Sequence, residues 1–115
     1  MDKLIIKNLK FVAKAKAYYD FDTKKKFFSV QIRDMRNNNI FYIPIKKAWS
    51  DWHYLEYIIL HDAQKELLKE YHISDVEDAY VSKYGRWYPV IKCEIKNGCT
   101  KEEVEYWGNK DKIKS

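Results

Sequence analysis

Residues 50–71 read SDWHYLEYIILHDAQKELLKEY, and this run decides the fold because it is the one long helical signal in the chain. Leu55, Ile59, Ala63 and Leu67 recur every four residues, and Trp52, Leu60 and Tyr71 widen the same stripe, the spacing that lays side chains along one helix face. Such a face must be buried. Neither Gly nor Pro interrupts the run, Ser50 and Asp51 are placed to cap its start, and Lys65 and Lys69 lie toward its end, where cations favour the dipole. Glu56, Asp62, Glu66 and Glu70 fall on the other side and predict a solvated acidic face.

On either side the periodicity changes from four to two, the signature of strands. Phe11, Ala13, Ala15, Ala17 and Tyr19 alternate with Val12, Lys14, Lys16 and Tyr18, and Phe28, Val30 and Ile32 alternate with Phe27, Ser29, Gln31 and Arg33. Turn formers at residues 20–25 separate these two strands, and Asn37, Asn38 and Asn39 make a hairpin turn into a third in which Phe41, Ile43 and Ile45 point one way. Pro44 has no N–H to donate, which puts the third strand at an edge.

Beyond the helix, Ser74 with Glu77 forms a capping-box pattern before a strand at residues 79–84, and Gly85 with Arg86 suits a tight turn. Trp87, Pro89, Ile91, Cys93 and Ile95 then alternate with Tyr88, Val90, Lys92, Glu94 and Lys96 as one strand. Thr100 and Glu103 form a second capping box, Val104 and Trp107 a short helix, and Gly108 its stop.

The order β-β-β-α-β-β-α predicts a single α+β domain over residues 1–108: a mostly antiparallel five-stranded sheet with one long helix packed on one face and the short helix on that same face. Residues 109–115 form a polar tail expected to fray. The expected core is Phe11, Ala13, Ala15, Phe28, Val30, Ile32, Phe41, Ile43, Ile91, Cys93 and Ile95, with the small Ala residues leaving room for rings of the helix.

Hydrophobic residues at 46% and aromatics at 17% exclude a disordered chain, and 34% charged residues with no long uncharged apolar run exclude a spanning helix. Lysines interrupt the apolar residues near Met1, so no secretory signal is expected and the protein reads as cytoplasmic, with Cys93 and Cys99 as free thiols. The net charge of +5 is uneven: residues 1–49 carry +8, residues 50–80 carry −6 and residues 81–115 carry +3. Such a split either marks an anionic partner on one side or lets the two regions attract each other.

The sheet face left over from the core holds Lys14, Lys16, Tyr18, Phe27, Arg33, Tyr42, Tyr88 and Lys92, and Trp87 beside Tyr88 is a further candidate contact. Rings interleaved with cations on an open sheet can stack on bases and meet phosphates, although only three of the 22 basic residues are Arg, which limits bidentate base reading. The plainer reading is amphipathic surface, or a face covered by a partner chain. Glu94 and Lys96 make an E-x-K on a strand, behind Asp75 and Asp78. This is similar to the core of PD-(D/E)xK nucleases, in which carboxylates hold a cation and a Lys supports the attacking water, but the chain ends before the strand that usually completes that core. His53, His61 and His72 share no helix face and have no completing ligands, no nucleophile setting or glycine-rich phosphate loop is present, and neither a metal nor a cofactor is expected.

With ten Tyr, four Trp and no catalytic constellation, the sequence predicts a small non-enzymatic binding protein. Its Lys-, Asn-, Ile- and Tyr-rich, Gly-poor composition suggests a virus or mobile element. The expected partner is a larger host protein that handles nucleic acid, or a nucleoprotein complex, which the protein would modulate or inhibit. The candidate contacts are the rings of that sheet face and the acidic helix face at Glu56, Asp62 and Glu66. Nucleic-acid binding by the basic sheet face is the alternative, and metal-dependent cleavage through the E-x-K is a third.

Overall fold

The computed structural model describes residues 9–72, 76, 79–81, 86–88 and 90–109. Its main sheet has four strands in the order β3-β2-β1-β6: β1 (Phe11–Asp20), β2 (Lys25–Asp34), β3 (Ile40–Lys47) and β6 (Ile91–Lys96). β1 pairs antiparallel with β2, and β2 with β3, whereas β6 lies parallel to β1 with Phe11 opposite Ile91 and Lys16 opposite Lys96. A separate antiparallel pair joins β4 (Ala79–Val81) to β5 (Arg86–Tyr88). The helices are α1 (Leu55–Leu67) and α2 (Lys101–Trp107).

The two hairpins form as their turn residues require. Asp20 accepts from the amide of Lys24, which takes φ 58°, and Asn38 takes φ 63° while its amide donates to the carbonyl of Asp34. Asn tolerates this left-handed backbone better than most residues because its short side chain bonds locally. β3, with Pro44, is an edge strand.

The core lies between the sheet and α1. Phe11, Ala13, Ala15 and Ala17 of β1, Phe28, Val30 and Ile32 of β2, Ile43 of β3 and Ile91 of β6 meet Ile58, Ile59, Ala63 and Leu67. Phe41, Cys93 and Ile95 pack at its margin, so every expected sheet-core residue faces α1. From α1 the core takes isoleucine, alanine and leucine, and Tyr71 of the helix stretch packs its ring at the margin, edge-on to Phe11 and Phe41.

The architecture corrects the sequence reading in three respects. First, the sheet is mixed and four-stranded, not antiparallel and five-stranded. β3 and β6 run in the same direction, so the chain between them must cross a sheet face, and α1 makes that crossing. The stretch expected as one strand from Trp87 to Ile95 is divided into β5 and β6, on either side of a proline that cannot donate to a ladder.

Second, the helices occupy opposite faces. Ser29 and Gln31 point away from the core, and they reach α2: Ser29 Oγ donates to the carbonyl of Val104 at 2.6 Å and Gln31 Nε2 to that of Trp107 at 3.0 Å. The expected Thr100–Glu103 capping box is present, with the Glu103 amide donating to Thr100 Oγ1 at 3.1 Å and the Thr100 amide to Glu103 Oε1 at 3.2 Å.

Third, α1 is shorter than the run that announced it. Ser50 and Asp51 do not cap it. Ser50 Oγ accepts from the amides of Trp52 and His53, closing a turn, and Asp51 takes Lys25 Nζ at 2.6 Å. Tyr54 is the N-cap residue without a side-chain bond, so Trp52 leaves the apolar stripe for solvent. Asp62, expected on the solvated face, is buried. The Ser74–Glu77 capping box, the turn at Gly85 and the tail beyond Asn109 lie outside the described residues, as do Asp75, Asp78 and the side chains of Trp87 and Tyr88.

Candidate functional site: an aromatic patch and a basic groove

Two surfaces stand out, one beside each helix. The first begins where β3 ends. The amide of Ala48 donates to the carbonyl of Lys26, and Ala48 itself is buried, which pins the chain before Trp49 turns outward. Trp49 then gathers three rings: its centroid lies 5.3 Å from His53, 6.3 Å from Tyr57 and 5.5 Å from His61. His53 and Tyr57 stack at 5.0 Å. Tyr57 and His61 are four residues apart on the outer face of α1, opposite the buried stripe.

Around this cluster Trp52 and Tyr54 are 96% and 89% exposed. A hollow of about 290 Å³ runs from Tyr54 and His53 to Tyr19 and Lys24 at the β1–β2 turn, where Phe21 is 82% exposed and packs edge-on against Tyr19. The rings are held by one another, since each such pair contributes about 0.5–1.5 kcal/mol beyond its area. Exposed Trp and Tyr in a contiguous patch are uncommon on a protein with nothing to bind.

The second surface is on the opposite side of the sheet, where α2 covers only the middle. At one end Tyr18 stacks on Phe27 at 5.3 Å, and burial pushes the Tyr18 hydroxyl pKa up. At the other end a groove of about 360 Å³ opens over Val12, Gln31 and Ile40, with Trp107 as a wall and Lys14, Arg33 and Lys92 around it. Glu94 is the carboxylate among them and is shared, 3.9 Å from Lys14 Nζ and 3.5 Å from Lys92 Nζ. Arg33 enters no ion pair among the described residues.

Trp107 is fixed in place. Its Nε1 donates to the carbonyl of Lys14 at 2.7 Å, and Lys16 Nζ sits 4.7 Å from its ring centroid, a cation–π contact. The expected sheet-face residues are thus divided. Lys14, Arg33 and Lys92 converge on the groove, Lys16 joins them through Trp107, and Tyr18 and Phe27 form a separate pair beyond α2. Tyr42 is half-buried opposite Gln31 on β3.

The acidic helix face is also divided. Glu56 is exposed, Glu66 is held by Lys69 at 2.9 Å, and buried Asp62 faces Lys46 Nζ at 3.2 Å and His61 Nδ1 at 3.6 Å. Asp62 serves the interior of the protein and offers nothing to a partner. His53 and His61 do meet, through Trp49, although no group of His, Cys, Asp or Glu able to hold a metal ion occurs among the described residues.

The aromatic patch is what sequence reasoning missed. Its signal was available: Tyr57 and His61 fall opposite Leu55 and Ile59 on the helix wheel, so their rings had to point outward. Comparison of the chain with protein-family models, with curated proteins and with solved structures found no match.

Proposed function

We propose that this is a non-enzymatic binding protein that docks on a larger protein through the aromatic patch at the start of α1. The observation that carries the reading is the near-complete exposure of Trp52 and Tyr54 beside rings already organised by Trp49. Trp and Tyr dominate the energetics of protein interfaces, and rings held before binding lose little freedom on binding. The hollow between Tyr54 and Tyr19 can receive a side chain of the partner. With its surroundings the patch suits a standard interface of about 800 Å² per partner.

The partner class we favour is a host protein that handles nucleic acid, or a nucleoprotein complex, because the opposite face of the sheet is basic. Modulation or inhibition follows if docking covers the partner's own working surface. The composition supports an origin in a virus or mobile element, and the free thiols of Cys93 and Cys99 agree with a reducing compartment. None of the described helices is long and apolar enough to cross a membrane. The non-enzymatic reading is supported by groups that are already committed. Glu94 is engaged by two lysines, and burial, with Glu56 and Glu94 nearby, pushes the Cys93 thiol up to about 12, far from a thiolate nucleophile.

Affinity capture from the native host with and without nuclease, comparing the wild-type protein with a Trp52→Ala/Tyr57→Ala variant, tests the proposal. A stoichiometric protein that survives nuclease and is lost with the variant is expected. Retention of the same protein by the variant, or recovery of nucleic acid alone, overturns it.

A further inference from the structure

We infer that the groove between Trp107 and the Lys14–Arg33–Lys92 cations is a binding site for one nucleotide, with the base against the apolar floor and indole and the phosphate among the cations. The inference concerns the face of the sheet opposite the aromatic patch and stands independently of the docking proposal.

Charge is the first support. Lys14, Arg33 and Lys92 surround the groove, Glu94 is shared by Lys14 and Lys92, and Lys16 and Lys96 line an adjoining cleft of about 250 Å³ that Trp107 also walls. Five cations against two carboxylates, Glu94 and the Glu103 that lies within electrostatic reach of Lys16 and Lys96, leave a local positive excess that favours an anion. Of the three cations around the groove, Arg33 is the one that enters no ion pair among the described residues, and its planar fork suits phosphate oxygens.

Shape and hydrogen bonding give the second. The floor combines Val12 and Ile40 with the Gln31 side chain; the Trp107 ring is held by its Nε1 bond to the Lys14 carbonyl, and Gln31 holds the main-chain carbonyl of Trp107. A fixed indole beside cations can accept any base by stacking. The volume of about 360 Å³ matches a single nucleotide and not a duplex.

Strand order argues against a peptide in the same place. β1 and β2, which carry Val12 and Gln31 of the floor, are paired on both sides, β1 with β2 and β6, and β2 with β1 and β3. A peptide laid across them would find no free main-chain group with which to extend the sheet, whereas a nucleotide needs none.

The nucleotide can be free or part of an unpaired strand, and titrations of the full chain separate these sources. The probes are a labelled short oligothymidylate, thymidine monophosphate, inorganic phosphate and an acidic peptide, each with wild-type protein and with Arg33→Glu and Lys92→Glu. Both substitutions are at exposed positions and leave the core intact. The expected result is binding of oligothymidylate or the monophosphate that weakens at least tenfold in each variant. With three cations meeting phosphates, affinity for the oligonucleotide falls roughly 20-fold between about 50 and about 200 mM salt. Tighter binding of the oligonucleotide assigns a strand, and equal binding assigns a free nucleotide. No binding at low salt, phosphate binding as tightly as the nucleotide, tighter binding of the acidic peptide, or unchanged affinity in both variants overturns the inference.

Discussion

The phenol of Tyr71 donates to Oδ2 of Asp34 across 2.6 Å, fastening the segment that follows α1 to the end of β2. Asp34 is fully buried and also receives Arg36 through its amide at 2.9 Å and its guanidinium at 3.1 Å. That guanidinium lies 5.4 Å from the Phe11 ring and 5.7 Å from the Tyr71 ring, while the two rings meet edge-on. One carboxylate thus ties the β2–β3 turn, β1 and the exit of α1 together.

Burial pushes the Asp34 carboxyl up, but the bonds from Arg36 and Tyr71 outweigh it and leave the group below its usual range. A folded-state pKa below the unfolded one contributes stability that is present above the unfolded value and is lost as pH falls through the folded value. Tyr71→Phe should therefore cost about 1.5–3 kcal/mol in urea unfolding at neutral pH, the scale of a hydrogen bond to a charged group. The gap between variant and wild type should narrow in acid, as Asp34 protonates. A gap that stays constant across that range would show that the bond does not act through the charge.

Gly108 closes α2 against the sheet, and a Cβ there would lie 2.5 Å from the Ile43 carbonyl oxygen and 2.6 Å from Ser29 Cβ. Neither atom can swing aside, so Gly108→Ala should cost about 1–3 kcal/mol or more as overpacking. Gly98 is the contrasting case, with φ +72° and nothing within 4 Å. Gly98→Ala should cost about 1 kcal/mol from backbone conformation alone. Melting temperatures of the two variants provide the check, and a smaller loss for Gly108→Ala would mean that α2 does not press on β2 and β3.

Asp62 is buried on α1 with Lys46 Nζ 3.2 Å from its Oδ2, yet that oxygen accepts no hydrogen bond. An ion pair of this kind stabilises little, but its broken form leaves a carboxylate stranded. Lys46→Ala is expected to destabilise by about 1–2 kcal/mol, reduced from the buried-pair figure because Lys46 is partly exposed, whereas Asp62→Leu should be neutral or stabilising. Denaturant midpoints in the opposite order would contradict this.

Cys93 and Cys99 are free, Cys93 with its thiol pushed up to about 12 mainly by burial, and Cys99 buried with Sγ donating to the Lys96 carbonyl. Neither should react with a thiol reagent in the folded protein at pH 8, and both should react in denaturant. Rapid native labelling of Cys93 would show that β6 opens from the core.

Much of the fold was legible because one-faced burial leaves a period in the sequence. Alternation placed Phe11, Val30, Ile32 and Ile91 on the core side correctly, and the Thr100–Glu103 and Asn37–Asn39 signals marked a real cap and a real turn. Alternation carries no information about strand direction, however. Nothing in Ile91, Cys93 and Ile95 says that they run parallel to Phe11, Ala13 and Ala15. The polar Ser29 and Gln31 read as ordinary outward residues, whereas their hydrogen bonds place α2 on the second face.

The candidate surfaces were harder to read for a related reason. Lys14, Arg33 and Lys92 come from three strands and converge only through sheet order, and Trp107 joins them through a bond to a main-chain carbonyl, which no side-chain pattern encodes. In an unbroken helix over residues 50–71, Trp52 falls three residues before Leu55 and so widens the buried stripe. The turn closed by Ser50 breaks that spacing before the helix begins.

The most direct test of the docking claim is site-specific photo-crosslinking in the native host, with a photoreactive phenylalanine analogue at Trp52 in one variant and at Arg33 in another. Because Trp52 stands free on the patch and Arg33 on the opposite face, the account predicts one nuclease-resistant protein adduct from position 52 that is absent from position 33. No protein adduct at 52, or the same adduct from both positions, would contradict it.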